Sequence, residues 1–130
     1  MVAYSFRARF REPILSGTKK QTLRADRLRH ARPGEALQLY TGMRTKFCRL
    51  IARATCSYVV PIRLDLPGRL VMLGALGMSM TVDAAEVDAF ARADGFADWA
   101  DMASFWGAER PGQDVWDGWL IAWTALRLGG

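Results

Sequence analysis

The chain has 130 residues, 51% of them hydrophobic and 24% charged, and a formal net charge of +5. This length predicts a single domain spanning residues 1–130 with a real core, and the apolar fraction excludes a disordered chain. Its apolar runs are shorter than the roughly 18–20 residues that span a bilayer, and its first residues lack the pattern of a secretory signal, so we expect no membrane association.

The first segment alternates between apolar and polar side chains. Residues 2–11 place Val2, Tyr4 and Phe6 on one side and a row of arginines on the other. This period of two predicts a strand with one apolar and one basic face. The arginines that would share the basic face are Arg7, Arg9 and Arg11.

A helical turn and two loops come next. Residues 13–17 predict one turn of helix, because proline suits the first turn of a helix and Gly17 suits its left-handed exit. Residues 18–24 begin as a loop and end in a short strand. Residues 25–34 form a basic loop that closes in a Pro-Gly turn.

Three further segments read as strands. Residues 36–41 alternate, and residues 47–60 alternate over a longer run. Pro61 is expected to end that long strand, because proline removes a backbone donor. Residues 70–73 predict another short strand.

The second half changes from a period of two to a helical period. Asp83 followed by Glu86 is an N-terminal capping pattern, and Gly95 is a helix exit. Asp98 begins a second helix. Residues 115–126 then form a strand that is apolar on both faces, which predicts a central or covered strand.

Together these elements predict an α+β fold that is mainly β. We count five or six strands with two or three short helices, two of which precede the last strand. This arrangement fits a small, partly closed β-barrel with helices at its ends. A doubly wound fold is excluded, because strands and helices do not alternate.

The two cysteines, Cys48 and Cys56, are eight positions apart and have no neighbouring ligand cluster. They fit neither a zinc site nor a disulfide framework, and they are expected to be small buried apolar residues. We therefore expect no metal, no cofactor, and a reduced, cytoplasmic setting.

The charge is unevenly distributed along the chain. Residues 1–70 hold fifteen Lys/Arg against four Asp/Glu, which gives +11, whereas residues 71–130 hold three against nine, which gives −6. A first half this basic favours a polyanionic partner such as RNA. The alternative is an arginine-rich face that is simply solvated.

The densest polar cluster lies just after the predicted helical turn. Within eight positions it contains a glycine, which leaves the backbone accessible, and lysines, whose ammonium groups are mobile point charges. It also contains an arginine, whose planar guanidinium suits a phosphate or a base edge. The spacing is not that of a P-loop. The cluster is an anion site or a solvated loop, and its members are Gly17, Lys19, Lys20, Thr22 and Arg24.

The segment from Ile14 to Arg24 resembles the signature of the ASCH domain family, which belongs to the PUA-like superfamily. Later segments resemble further elements of that family in the same order. They are Pro33-Gly34-Glu35-x-Leu37-x-Leu39, Phe47-Cys48-x-Leu50-Ile51-Ala52, Phe90-Ala91-x-x-Asp94-Gly95-Phe96 and Gly118-Trp119-Leu120-Ile121-x-Trp123.

The resemblance implies a PUA-like β-barrel with a pocket for RNA, a nucleotide or a nucleoside. Some ASCH relatives hydrolyse N4-acetylcytidine with a lysine, a threonine and an acidic residue, and others are described as ribonucleases. By position these residues are Lys19, Thr22 and Asp94. The amidohydrolase branch has glutamate in place of Asp94, so Glu86 is the alternative acid. A structural role for Asp94 at the helix end is the other reading.

Several further residues are weaker candidates. Arg7, Arg9 and Tyr40 are expected to contact a ligand through phosphate or by stacking. His30 reads as a solvated loop residue, and the aromatic group around Trp106 reads as core. The apolar stretch 70–80 is a candidate for pairing two copies of the chain.

Overall fold

A computed structural model describes residues 1–26, 29–74, 79–81 and 83–128. Within them the chain forms seven strands and three α-helices, with a 3₁₀ turn at Ala8–Phe10. The elements in chain order are β1 (Val2–Phe6), α1 (Arg11–Ser16), β2 (Gln21–Arg24), β3 (Ala36–Thr41), β4 (Arg49–Asp65), β5 (Leu70–Leu73), β6 (Ser79–Thr81), α2 (Ala84–Ala93), α3 (Trp99–Glu109) and β7 (Val115–Leu128).

The strands form one mixed sheet in which β4 pairs with three other strands. The first half of β4 pairs with β3 and its last residues pair with β5, while β7 runs antiparallel along its other edge. Strand β2 pairs with β7, and β1 pairs in parallel with β3. The fold is therefore mixed and mainly β, as predicted. With seven strands in the described part, the expected five or six is an undercount.

Strands β1 and β2 are the two ends of the path β1-β3-β4-β7-β2. Within the described ranges no ladder joins them, so the sheet is not closed by backbone pairing. One side-chain contact crosses the gap, since Arg24 Nη2 donates to the carbonyl oxygen of Ser5 at 2.6 Å. The gap between β1 and β2 positions the candidate site.

The predicted strand over residues 2–11 is wrong beyond Phe6. The partner strand β3 ends at Thr41, opposite Phe6, and the chain then turns at Gly42. Without a partner the backbone coils, and the Phe10 N–H donates to the Arg7 carbonyl. Arg7, Arg9 and Arg11 therefore do not share a strand face.

Pro61 does not end β4, which continues to Asp65. The Pro61 carbonyl accepts from Gly74 N, so its nitrogen faces the same edge of the strand. The ladder with β5 starts only at Ile62 on that edge. A missing N–H is tolerated there because no strand partner needs it.

The helix signals in the second half are confirmed. The Asp83 side chain accepts from the amides of Ala85 and Glu86 at the start of α2, and Asp98 accepts from Asp101 N at the start of α3. Gly95 ends the first of these segments with φ at +96°. The two helices precede β7, which is central because β2 and β4 flank it.

Two single-residue expectations need correction. Cys56 is buried but Cys48 is exposed, because it lies in the loop before β4 begins. His30 is half-buried and bonded rather than simply solvated: its Nδ1 lies 2.9 Å from the Tyr4 hydroxyl, and its Nε2 lies 2.9 Å from the Ala25 carbonyl. It anchors the 25–34 loop to β1. In the part of the chain that is described, no helix has the length and apolar character to cross a membrane.

Candidate functional site

A cavity of about 260 Å³ opens at the gap between β1 and β2. The turn between α2 and α3 and the last turn of α3 form its remaining walls. Its chemically active side chains come from four separate parts of the chain. They are Arg7, Lys19, Thr22, Arg24, Asp94, Trp106, Glu109 and Arg110.

Lys19 is held by its backbone before its side chain enters the cavity. Its N–H donates to the Pro13 carbonyl at 2.9 Å, across the left-handed turn at Gly17. The next residue, Lys20, is bonded on both sides, by its N–H to Ala93 O and by its carbonyl to Trp123 N. This short segment is thus clamped between α1, α2 and β7.

The Lys19 ammonium and the Asp94 carboxyl are neighbours in the floor of the cavity. Lys19 is 3% exposed and Asp94 is 1% exposed. Lys19 Nζ donates to the Asp94 backbone carbonyl at 2.5 Å and lies 3.6 Å from Asp94 Oδ1. That carboxylate oxygen has no hydrogen-bond partner in the described protein. The pair is therefore an ion contact in which Asp94 Oδ1 still lacks a hydrogen-bond donor.

Burial moves both groups toward neutrality. Desolvation lowers the pKa of Lys19 to about 8, although the Asp94 charge opposes the shift. Desolvation also raises the pKa of Asp94 to about 6, again against the attraction of Lys19. An amine and a carboxyl that both titrate within about two units of neutral pH are suited to proton transfer.

Thr22 and Arg24 form the β2 wall. Thr22 is buried, and its Oγ1 accepts from Arg24 Nε at 3.1 Å. The Arg24 guanidinium also lies 4.8 Å from the centre of the Phe6 ring. Lys19 Nζ lies 5.4 Å from the centre of the same ring, so both cations contact Phe6. Alternation along a strand accounts for Thr22 and Arg24 facing one side together.

The rim opposite Lys19 belongs to α3. Arg7, just after β1, forms an ion pair with Glu109. The Arg110 guanidinium lies 4.2 Å from the Trp106 ring centre and 3.7 Å from that of Trp116. Desolvation lowers the pKa of Arg110 to about 10, so it remains a cation near neutral pH.

The structure brings together four predicted site residues, Lys19, Thr22, Arg24 and Asp94, with Arg7 at the rim. Gly17 and Lys20 lie outside this cavity, beside a separate depression against β7. Glu86 is exposed in the first turn of α2, away from the cavity, so Asp94 is the acid that faces Lys19.

Arg9 and Tyr40 do not reach the cavity. Arg9 pairs with Asp101 at 2.7 Å and lies 5.0 Å from the Phe96 ring centre, because the coil after β1 turns it toward α3. Tyr40 sits within β3 and donates to Gln38 Oε1.

Trp106, Glu109 and Arg110 are site residues that the sequence reading did not identify. The sequence favours a core position for Trp106, and the structure does pack it against the core, but it also lines the cavity. The available signal was the spacing: Trp106 and Arg110 are four apart at the end of a helix, so they share a face. Nothing in the sequence placed that face opposite Lys19.

Among residues 1–26, 29–74, 79–81 and 83–128, no group of three or more His, Cys, Asp or Glu is arranged to hold a metal ion. Comparison with protein-family models, with curated proteins and with solved structures gave no match in any of the three. Any assignment of function therefore depends on the cavity itself.

Proposed function

We propose that this protein is a PUA-like domain of the ASCH type that binds a nucleotide, free or within RNA, in the cavity between β1 and β2. One observation carries the proposal. Lys19 and Arg24 lie within 5.4 Å and 4.8 Å of the Phe6 ring centre inside one cavity. Fixed cations beside aromatic rings are what a phosphate and a base require.

The size of the cavity supports a ligand of a single nucleotide unit. Its volume of about 260 Å³ is close to the lower end of small-molecule sites, which is about 300 Å³. A longer oligonucleotide would have to leave the cavity and follow the surface. The basic first half of the chain provides the charge for such a path.

The assignment of the fold as a PUA-like barrel is part of the same proposal. In a closed PUA-like barrel β1 and β2 would be neighbours across the site. The contact between Arg24 Nη2 and Ser5 O supports this, because it joins the two strands where the ladder is missing. A ligand in the cavity would lie against this contact.

Salt dependence tests whether RNA is the ligand. We expect the affinity for a single-stranded RNA oligonucleotide to fall steeply with salt, with a slope in log–log form of about −0.7 per phosphate contacted. A mononucleotide should show a shallower slope. Fluorescence anisotropy across a salt series measures both. A flat response for the oligonucleotide would contradict RNA binding and leave the free nucleotide.

Two variants make this test specific to the cavity. Arg24→Met should weaken both ligands at every salt concentration, because Arg24 lines the cavity. Arg92→Met removes the same charge from the exposed surface of α2 and should leave mononucleotide binding unchanged. Equal loss in both variants would mean that only net charge matters.

A second candidate function is hydrolysis of an acylated nucleoside such as N4-acetylcytidine, which takes up one water and releases acetate and cytidine. The buried contact between Lys19 and Asp94, 3.6 Å apart with Thr22 in the same cavity, favours it. A neutral Lys19 amine could act as base or nucleophile, and Asp94 could carry the proton.

The hydrolase candidate makes a prediction about pH. If the neutral Lys19 amine is the catalytic group, activity should rise with pH through about 8, because the neutral fraction of Lys19 increases as the pH passes its pKa. Lys19→Arg should abolish product formation because the guanidinium stays protonated, whereas Lys20→Met should not. Chromatography of products formed from N4-acetylcytidine and from RNA measures this. Activity retained by Lys19→Arg would exclude the mechanism.

A further inference from the structure

Two residues that line the α3 end of the cavity carry buried donor atoms without a hydrogen-bond partner among the described residues. Trp106 Nε1 and Arg110 Nη1 are both solvent-inaccessible and have no hydrogen-bond partner in the described protein. An unsatisfied buried donor destabilises the folded state, and more so when it is charged. Native structures keep few such groups, and those they keep call for a ligand, an ion or a water.

These donors are held rigidly rather than left loose. Arg110 ends α3 and its N–H donates to the Trp106 carbonyl at 2.9 Å. Its guanidinium lies over the rings of Trp106 and Trp116, which stack with 5.8 Å between centres and 12° between planes. The Arg110 guanidinium is therefore fixed in orientation before any ligand binds, which lowers the entropy lost on binding.

The charge of the cavity wall points to the ligand that this end would take. Among the described residues that line it, four side chains are cationic and two are anionic. Lys19 and Asp94 balance each other at the floor, and Arg7 and Glu109 balance each other at the rim. At the α3 end, Arg110 forms no ion pair within the described residues. A phosphomonoester carries about −1.5 to −2 at neutral pH, so it would supply the negative charge that Arg110 lacks.

We propose that Arg110 Nη1 and Trp106 Nε1 form a subsite for the phosphomonoester group of a nucleoside monophosphate. The subsite rests on the proposed function, and it adds that the ligand ends in a phosphate at the α3 side of the cavity. The nucleoside lies toward Phe6, Thr22 and Arg24. Cavity, charge and the two unpartnered donors agree on this orientation.

Glu109 controls the strength of this subsite. Its carboxylate neutralises Arg7 at the rim and lies next in sequence to Arg110. A bound phosphate would be repelled by Glu109 and would compete with it for Arg7. Glu109→Gln keeps the size of the side chain and removes the charge, so it should strengthen phosphate binding.

Calorimetric titration of the full chain tests the subsite. The probes are the four ribonucleosides, their 5′- and 3′-monophosphates, and inorganic phosphate alone. We expect at least one monophosphate to bind about tenfold or more tightly than its nucleoside, as charge-assisted hydrogen bonds would give. Glu109→Gln should tighten the monophosphate several-fold and leave the nucleoside unchanged.

Variants separate the donors from general charge effects. Trp106→Phe removes the N–H together with the five-membered ring of the indole, and Arg110→Met removes the guanidinium. Both should weaken the monophosphate about tenfold or more while the nucleoside affinity is kept, and Arg92→Met should change neither. Thermal unfolding of each variant checks that it folds, and Glu109→Gln carries the test if either of the other variants does not.

The outcomes are distinguishable. If nucleosides and monophosphates bind equally well to the wild type, the phosphate subsite is wrong and the nucleotide cavity stands. If the donor variants leave monophosphate affinity unchanged, water alone satisfies the two donors and the subsite is again wrong. If neither these probes nor the RNA oligonucleotide binds, the proposed function fails and the subsite fails with it.

Discussion

Lys19→Met should lower the free energy of unfolding by about 3–5 kcal/mol, because it leaves the Asp94 carboxylate buried without its cation. Asp94 is 1% exposed, so solvation by bulk water compensates little for the lost partner. The change also leaves the Asp94 backbone carbonyl without the donor that lies 2.5 Å away. Urea denaturation at neutral pH measures the difference. A loss below about 1 kcal/mol would show that the pair is not buried in solution.

A second substitution separates the lost charge from the lost volume. Lys19→Met combined with Asp94→Leu replaces both charges by apolar groups, and such replacements of buried pairs are often neutral or stabilising. We expect the double variant to recover most of the stability. Lys20→Met, at the neighbouring exposed position, should change stability by no more than about 0.5 kcal/mol.

The pH dependence of the wild type reports on the same pair. Asp94 has a folded pKa of about 6 against an ordinary value of 3.8, so the folded state holds this proton more tightly. Stability therefore falls as pH rises between about 4 and 6. In Lys19→Met the carboxylate loses its attraction to the ammonium, so its pKa rises further. The fall in stability should then extend to higher pH.

Much of the fold follows from local patterns in the sequence. Capping at Asp83 and Asp98 and the left-handed exits at Gly17 and Gly95 depend on a few neighbouring residues, and these predictions are confirmed. The alternation that predicted β3 also depends only on neighbours, and its bounds are those observed.

The errors arose where a distant partner decides the local structure. Alternation continues past Phe6, but β1 stops there because β3 has no further residues to pair with. Pro61 would end an isolated strand, yet β4 continues because the ladder with β5 starts only at Ile62, so no strand partner needs the missing N–H. Strand length in a sheet depends on partners far away in the sequence, so it cannot be read from one segment.

The candidate site likewise combines residues that the sequence indicates with residues that only the folded chain brings together. Lys19, Thr22 and Arg24 fall within one short segment, so the sequence alone indicates them. Asp94 was placed beside Lys19 through the family resemblance, and the observed distance of 3.6 Å agrees with that placement. Arg110 could not be found, because only the packing of the last turn of α3 against the gap between β1 and β2 brings it to the cavity.

Gly95→Ala should destabilise the fold by about 2–4 kcal/mol and displace the Lys19 side chain. The φ angle of Gly95 is +96°, which strains any residue with a Cβ. A Cβ there would also lie 2.8 Å from Lys19 Cδ and 3.0 Å from Phe10 Cδ1. Crowding of this kind in a packed interior costs about 1–3 kcal/mol in addition to the strain. Urea denaturation measures the sum.

Two other glycines separate strain from crowding. Gly17 has a similar φ of +85°, but nothing lies within 4 Å of its Cβ position, so Gly17→Ala should show strain alone, about 1–2 kcal/mol. Gly107 is helical and open, and Gly107→Ala should stabilise the protein by about 0.5–1 kcal/mol. If Gly95→Ala costs no more than Gly17→Ala, Lys19 is not held against the turn that carries Asp94. The cavity floor would then not be preorganised for either proposed function.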